Sequence, residues 1–456
     1  MREPDTSAAP AGLWRIVFRA INAVVEVRPA EAAALAWAWL YIFSVLSAYY
    51  ILRPMRDQMG VAGGVENLPW LFTGTLAGML LLNIPYGFLV KNFPRAVFIP
   101  VAYRFFAANI LLFAAALHVA RPEQAIWIGR IFFIWTSIFN LFVVSIFWAL
   151  IVDIFSSEQG KRLFGFIAAG ATLGSIAGSA LTATTVRYLS PVYLMVGAAL
   201  LLEIAVFCVR RLSRLSSALS RQPGADVGDQ AIGGSGLAGF RDAISSPYLL
   251  NVSLFLLLFA VTSTFLYFQQ ATIVSRFFHD RASQTAFFAT VDLVVNVLTL
   301  ACQLLLTGPI LRRIGVAATL SILPALSIAG FAAVARWPEL WSIVSVQVLR
   351  RSGNFAIARP TREILFTVVP REDRFKTKSF IDTVVYRLGD QVGAWSFTLL
   401  GGLGLGLTAV SAVAAVVSAL WLVNSLWLGK REEELAAVIA EKTAAGSDRV
   451  DVSPTA

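Results

Sequence analysis

Apolar runs of about twenty residues recur from Ala33 to Leu428, separated only by short polar breaks. A helix that crosses a bilayer needs about 20 mostly apolar residues, and within lipid it must satisfy its own backbone hydrogen bonds. Repetition of such runs implies a polytopic helical membrane protein and excludes a soluble domain with one anchor. The runs are continuous rather than alternating, which excludes a membrane β-barrel. Composition agrees: 57% of the 456 residues are hydrophobic and 14% charged, far from both soluble domains and disordered chains.

Hydropathy, charged breaks and Pro/Gly breaks predict twelve spans. They fall at 33–52, 68–90, 96–120, 124–152, 163–186, 191–209, 248–274, 284–308, 314–335, 340–368, 379–402 and 405–428. Residues 210–247 are rich in Ser, Gly and Arg, include the run QPGADVGDQAIGGSG and read as a linker. The expected fold class is therefore an all-α membrane protein of two six-helix halves, 33–209 and 248–428. An N-terminal segment (1–32), the linker (210–247) and a tail (429–456) complete it.

The net charge is +10. Basic residues crowd the tails and alternate loops, at Lys91, Arg95, Lys161, Arg162, Arg210, Arg211 and Arg214, while the opposite loops are sparse. That asymmetry places both termini and the linker in the cytoplasm, so the basic balance reflects topology and no nucleic-acid partner is expected. Trp14, Val17, Phe18, Ile21, Val24 and Val25 recur at helical spacing; an amphipathic helix on the inner surface and a polar tail with chance periodicity fit equally well. The first apolar run begins near Ala33 and continues as a full span, so a cleavable signal peptide is not expected. The expected location is a bacterial inner membrane. Cys208 and Cys302 lie in apolar runs and read as packing residues.

Two correspondences suggest an internal repeat. Gly87-Phe-Leu89-Val-Lys91 follows the second span as Gly308-Pro-Ile310-Leu-Arg312 follows the eighth. At one constant offset, Glu158, Lys161, Leu173, Gly174 and Gly178 match Asp373, Lys376, Leu388, Gly389 and Gly393. Duplicated six-helix halves around a midplane site resemble the major facilitator architecture.

Charged groups within spans are costly and thereby become functional candidates. The basic ones are Arg104, Arg130, Arg350, Arg351 and Arg387; the acidic ones are Glu203, Asp292, Asp382 and Asp390. Arg387 and Asp390 are three residues apart and can pair on one helix face. At the end of the first span, Arg53-Pro54-Met-Arg56-Asp57 places two guanidinium groups and a carboxylate beside a helix-breaking proline. A fork of fixed charge suits phosphate or carboxylate, while an interfacial Arg–Asp cluster that sets span depth explains the same spacing. The tenth span combines Arg350 and Arg351 with Arg359-Pro360-Thr361-Arg362-Glu363, and the next carries Asp382, Tyr386, Arg387, Asp390 and the pair Gly389/Gly393. Such a glycine pair allows close helix contact.

Thr361-Arg362-Glu363, a Lys-bearing loop, Ile381-Asp382 and Arg387-Leu388-Gly389 together resemble the ATP/ADP translocases, the nucleotide antiporters within the major facilitator group. Leu52-Arg53-Pro54-Met55-Arg56-Asp57 is similar to their first-span signature. Phe147-Trp148 through Glu158 to Lys161-Arg162 resembles their fourth-span end. The resemblance implies nucleotide exchange by alternating access without hydrolysis, with Arg56 and Arg362 contacting phosphates and Asp382 and Arg387 shaping the cavity. The chain departs from the family in carrying arginine rather than lysine at 56 and 362, and Arg359 and Asp390 where opposite charges are expected. It also lacks a carboxylate in the middle of the fourth span.

The expected substrate is thus a small anionic metabolite, with ATP/ADP the best single guess. The expected binding residues are Arg53, Arg56, Asp57, Arg130, Arg350, Arg351, Arg362, Glu363, Asp382, Tyr386, Arg387 and Asp390. This reading needs guanidinium groups beside a watery hollow. A proton-coupled exporter using Asp292, Asp382 or Asp390 is the first alternative, and a non-transporting scaffold on the same fold the second. No Walker A sequence, metal-ligand spacing or nucleophile–base constellation is present, so no enzyme activity and no cofactor are expected. The oligomeric state stays open.

Overall fold

The computed structural model describes residues 27–219, 246–369, 377–378 and 380–447. The segment Leu13–Val25, most of the linker and most of the loop at 370–378 lie outside the described residues. Among those described, the chain forms twelve long helical segments. In order they are α1 Pro29–Ala62, α2 Leu68–Asn92, α3 Arg95–Val119, α4 Pro122–Ile154, α5 Ser157–Thr185, α6 Pro191–Leu219, α7 Pro247–Phe277, α8 Arg281–Leu305 and α9 Thr307–Arg336. In α10, a π-helical stretch Asn354–Ala358 joins Leu340–Gly353 to Arg359–Ile364; α11 opens with the π turn Ile381–Val385 and continues as Tyr386–Gly402; α12 is Leu407–Ser447.

Ten of these, among the described residues, are long and apolar enough to cross a membrane. The other two are α10 and α11, whose π turns and arginines interrupt the apolar stretch. Inserting one residue into the hydrogen-bond ladder in this way re-aims side chains and often marks a functional segment. Elsewhere the outward faces carry Leu81, Leu112, Leu200, Leu304, Leu399 and Val423, all exposed. Water would penalise such a surface, whereas lipid would not. The chain is an integral, multi-pass membrane protein.

Local chemistry sets the helix ends, and it moves several of them. Ser156 N–H donates to Gln159 Oε1 at 2.9 Å while the Ser156 hydroxyl accepts from the Gln159 N–H at 3.4 Å, a reciprocal cap that starts α5 six residues before the expected 163. Asp280 caps α8 by accepting the Ser283 N–H at 2.7 Å. Pro54 does not end the first span: α1 runs on to Ala62 with the proline inside it, because one missing N–H removes one bond and neighbouring groups in a membrane bundle tolerate the loss. Arg53, Arg56 and Asp57 therefore sit on a continuous helix, not after one. Gly315, at φ 75°, separates a short helical segment from the apolar part of α9, and only glycine enters that left-handed region without strain. Glu433 Oε1 accepts the Ala317 N–H at 3.3 Å, placing a carboxylate at the new helix start, where the dipole favours it. Its source is the stretch after 428, expected as a tail and found to continue α12 as helix.

The chain divides into two compact units: Met1–Arg56, Met79–Ile128 and Trp135–Gly228 form one, and Asp57–Gly78, Gly129–Ile134 and Asp229–Ala456 the other. In the first unit α3 packs on α6, and Gly170, Gly174 and Gly178 of α5 press onto Trp39, Phe43 and Ser47 of α1. The Ser47 hydroxyl donates to Gly174 O at 3.0 Å. In the second unit α9 packs on α12, and Gly389 and Gly393 of α11 press onto Leu257, Ala260, Val261 and Thr264 of α7. The glycines that match by sequence offset thus make the same kind of close approach in both units. A Cβ on Gly174 would collide with the Phe43 backbone, which cannot swing aside as a side chain can, whereas one on Gly165 would meet nothing within 4 Å. Gly174→Ala is expected to cost about 1–3 kcal/mol through overpacking, read as a lowered thermal midpoint in detergent. Gly165→Ala on the same helix should leave that midpoint unchanged or raise it.

Candidate functional site

The second unit concentrates polar chemistry where α7, α9, α10, α11 and α12 meet. The Thr262-Ser263-Thr264 run puts three hydroxyls in the middle of α7. Arg350 of α10, 3% exposed, reaches into them. Its Nε donates to Ser327 Oγ at 2.9 Å, Nη1 to Ser263 Oγ at 2.8 Å, and Nη2 to Phe259 O at 3.2 Å and to the Thr262 hydroxyl. The guanidinium also lies 5.3 Å from the Phe259 ring centre and 5.8 Å from that of Trp421. Its partners are neutral throughout. Among the described residues no carboxylate stands within ion-pair distance of it, so a full positive charge is held by hydroxyls, one carbonyl and two π faces.

The neighbouring charges are matched. Arg351 pairs with Asp292 of α8 at 2.7 Å, Arg362 with Asp382 at 3.1 Å, and Arg387 with Asp390 at 3.0 Å within α11. Asp390 Oδ1 also accepts from Thr264 at 3.4 Å, and Glu363 pairs with Lys378. The Tyr386 ring has the Arg387 guanidinium at 5.5 Å and the Phe259 ring at 6.2 Å, and its hydroxyl feels Asp390, Arg387, Arg362 and Arg350. Three arginine–aspartate pairs cancel, and the residual charge of this cluster is Arg350's. The fold therefore brings together Arg350, Arg362, Asp382, Tyr386, Arg387 and Asp390 of the expected set, with Glu363 at its edge, while Arg351 is taken up by Asp292 of α8. The expectation of guanidinium groups standing beside a hollow is not met for these arginines in this conformation: Arg350 is enclosed, and the other three are in ion pairs.

The remaining expected residues lie elsewhere. In the first unit Arg53 is 3.5 Å from the Tyr50 hydroxyl and Arg56 is 3.4 Å from Ser137 Oγ. In the second, buried Asp57 accepts from the Tyr267 hydroxyl at 3.1 Å, and Arg130 Nη2 donates to Gly63 O at 3.1 Å. Nearby, the Thr73 hydroxyl is 2.9 Å from Gln391 Oε1 and accepts from Trp395 Nε1 at 3.2 Å. Sequence reasoning missed Thr262, Ser263, Ser327 and Tyr267. Three consecutive hydroxyl residues inside an apolar span were the signal available for the first two.

Comparison with known proteins follows the geometry. No family model matches the chain. Solved structures that share the fold include an auto-inhibited POT family peptide transporter (TM-score 0.58, 15% identity, 87% of this chain and 96% of that one). Others are the nucleoside transporter NupG (0.56, 13%, 88% and 99%) and a bacterial homologue of the iron transporter ferroportin in an inward-facing state (0.57, 13%, 86% and 98%). The fold is thus one shared with solved membrane transporters. In sequence the chain is similar to ADP,ATP carrier protein 2 of Chlamydia pneumoniae, 21% identical over 476 residues that span 86% of this chain and 87% of the relative. The resemblance carried by short motifs thus extends along most of the chain, and it is to a carrier rather than an enzyme.

Proposed function

We propose that this chain is a secondary transporter that exchanges anionic nucleotides of the ATP/ADP kind across a bacterial inner membrane, with both termini in the cytoplasm. The observation that carries the reading is Arg350: the membrane-embedded cluster around Tyr386 holds one more buried positive charge than negative. In a bilayer an uncompensated guanidinium is expensive, and a phosphate entering the site from the aqueous phase would supply the missing anion. Likeness to an ADP,ATP carrier over most of the chain supports phosphate as the anion's chemistry.

On this reading the two six-helix halves alternate access, and the Arg362–Asp382 and Arg387–Asp390 pairs loosen as substrate phosphate competes for the arginines. Bidentate geometry makes guanidinium well suited to that exchange of partners. By the same resemblance Arg53 and Arg56 of α1 would also contact substrate phosphate. A carrier that reorients readily only when its positive charge is neutralised performs exchange rather than net flux.

The test is counterflow. Proteoliposomes preloaded with ADP should take up labelled ATP at least about tenfold faster than empty ones, a difference of roughly 1.4 kcal/mol in the barrier to reorientation. Equal rates would sink exchange. The buried Asp292 and Asp390 favour a second reading, a proton-coupled exporter of another organic solute; uptake driven by a pH gradient into empty vesicles would support it.

A further inference from the structure

The first unit carries a charge pair that the proposed transport cycle does not use. Arg104 of α3 and Glu203 of α6 form a forked pair, with Arg104 Nε 3.1 Å from Oε1 and Nη2 3.2 Å from Oε2. Their side chains are nonetheless 48% and 45% exposed. Arg104 lies about 14 Å along a helix roughly 37 Å long at 1.5 Å per residue, so the pair sits more than a third of the way along the helix, inside its apolar stretch Val97–Val119. The face around it is apolar: Val101, Phe105, Leu112, Leu200, Ile204 and Phe207 are all exposed. Water-filled transport paths are not lined this way, and lipid-facing surfaces are.

An exposed ion pair at that depth has no evident use in holding α3 to α6. The corresponding pair in the second unit, α9 and α12, packs together, and its membrane portions at 316–335 and 407–428 contain no charged residue at all. Helix pairing at this position is therefore possible without charge, and the pair is left facing hydrocarbon, where each half-exposed ion is costly. A partner that covered it with matching polar groups would relieve that cost.

We infer that this face docks a second copy of the same chain. A guanidinium and a carboxylate side by side are self-complementary: a two-fold axis through the face sets each copy's Arg104 against the other's Glu203 and closes a four-membered ring of alternating charge, which an isologous interface requires. The surrounding Phe and Leu side chains would pack around the ring, excluding lipid and strengthening the ion pairs by lowering the local dielectric. An anionic lipid headgroup would satisfy Arg104 but repel Glu203, so charge matching favours a copy over a lipid.

The experiment uses the full chain in membranes with Cys208 and Cys302 replaced by Ala. A single cysteine can join only to its counterpart in another copy. Leu200→Cys should give a covalent dimer on mild oxidation, and Leu181→Cys, exposed on α5, should not. Single-molecule counting at increasing lipid dilution should show the doubly substituted Arg104→Leu/Glu203→Leu protein dissociating at a protein density at least about tenfold higher than the parent, as expected for losing interhelical polar contacts. Absence of the Leu200→Cys dimer would overturn the proposal, as would undiminished dimerisation of the double variant. Monomers that retain anionic lipid at native mass would also overturn it. If the double variant fails to accumulate, the cysteine comparison alone decides.

Discussion

Arg350→Met should cut nucleotide exchange by about 100-fold, equivalent to roughly 2.7 kcal/mol, while leaving the thermal midpoint equal to or above that of the parent. The two halves of this expectation have separate causes. Each hydroxyl that holds Arg350 also has a backbone carbonyl to return to: Ser263 donates to Phe259 O at 2.7 Å, Ser327 to Leu323 O at 2.8 Å and Thr262 to Leu258 O at 2.8 Å. Removing the guanidinium therefore orphans none of them, and methionine fills the space between Phe259 and Trp421 with a flexible apolar chain. Loss of a buried charge without a counter-ion is a gain for the fold. If the residue is kept despite that cost, its use lies in binding. Arg350→Lys should fall between, since ammonium keeps the charge but not the fork that reaches Ser327, Ser263 and Thr262 together. Parent-like exchange by Arg350→Met in proteoliposomes would remove Arg350 from the binding model. A large fall in thermal midpoint would instead make it a structural residue.

How far this arrangement was legible beforehand depends on what each residue's signal is made of. Span existence is written mostly in hydropathy: among the described residues ten of the twelve expected spans are helices long and apolar enough to cross a membrane, and the other two, at 340–368 and 379–402, are helical but interrupted by π turns and arginines. Their ends depend on single hydrogen bonds, such as the Ser156–Gln159 cap that advances α5, and on continuation through Pro54, which no window average registers. Gly389 and Gly393 were legible as contact glycines because small residues at one-turn spacing have few other uses in a membrane helix. The π turns at Asn354–Ala358 and Ile381–Val385 have no sequence signature of that kind. They shift the helical register between Arg350 and Arg362 and between Asp382 and Arg387, and so the pairing of arginines with aspartates could not be read from spacing except within one helix, at Arg387 and Asp390. Net charge in the site was equally hidden: five basic and four acidic span residues read as near balance, and only the pairing in space shows that Arg362, Arg387 and Arg351 each meet an aspartate while Arg350 is held by neutral groups.

Breaking the Arg351–Asp292 pair should be far more damaging than deleting it. Asp292 is 2% exposed and the Arg351 side chain 16%, with the ion pair bridging α8 to α10. Asp292→Leu strands a guanidinium in an apolar setting, which costs about 3–5 kcal/mol. That is a large share of the stability of an ordinary domain, and it is expected to show as a sharply lowered thermal midpoint and poor accumulation in the membrane. Asp292→Leu combined with Arg351→Met removes both charges and should restore the midpoint to near or above the parent's, because replacing a buried ion pair by apolar side chains of similar volume is often neutral or stabilising. The rescued protein then separates the two transport readings. With Arg350 and the Tyr386 cluster intact, counterflow of nucleotide should survive the double substitution. If Asp292 instead carries a coupling proton, uptake driven by a pH gradient will be lost in a protein that is fully folded. A double variant no more stable than Asp292→Leu alone would show that Asp292 is held by more than its pairing with Arg351, and that α8 and α10 depend on the carboxylate itself.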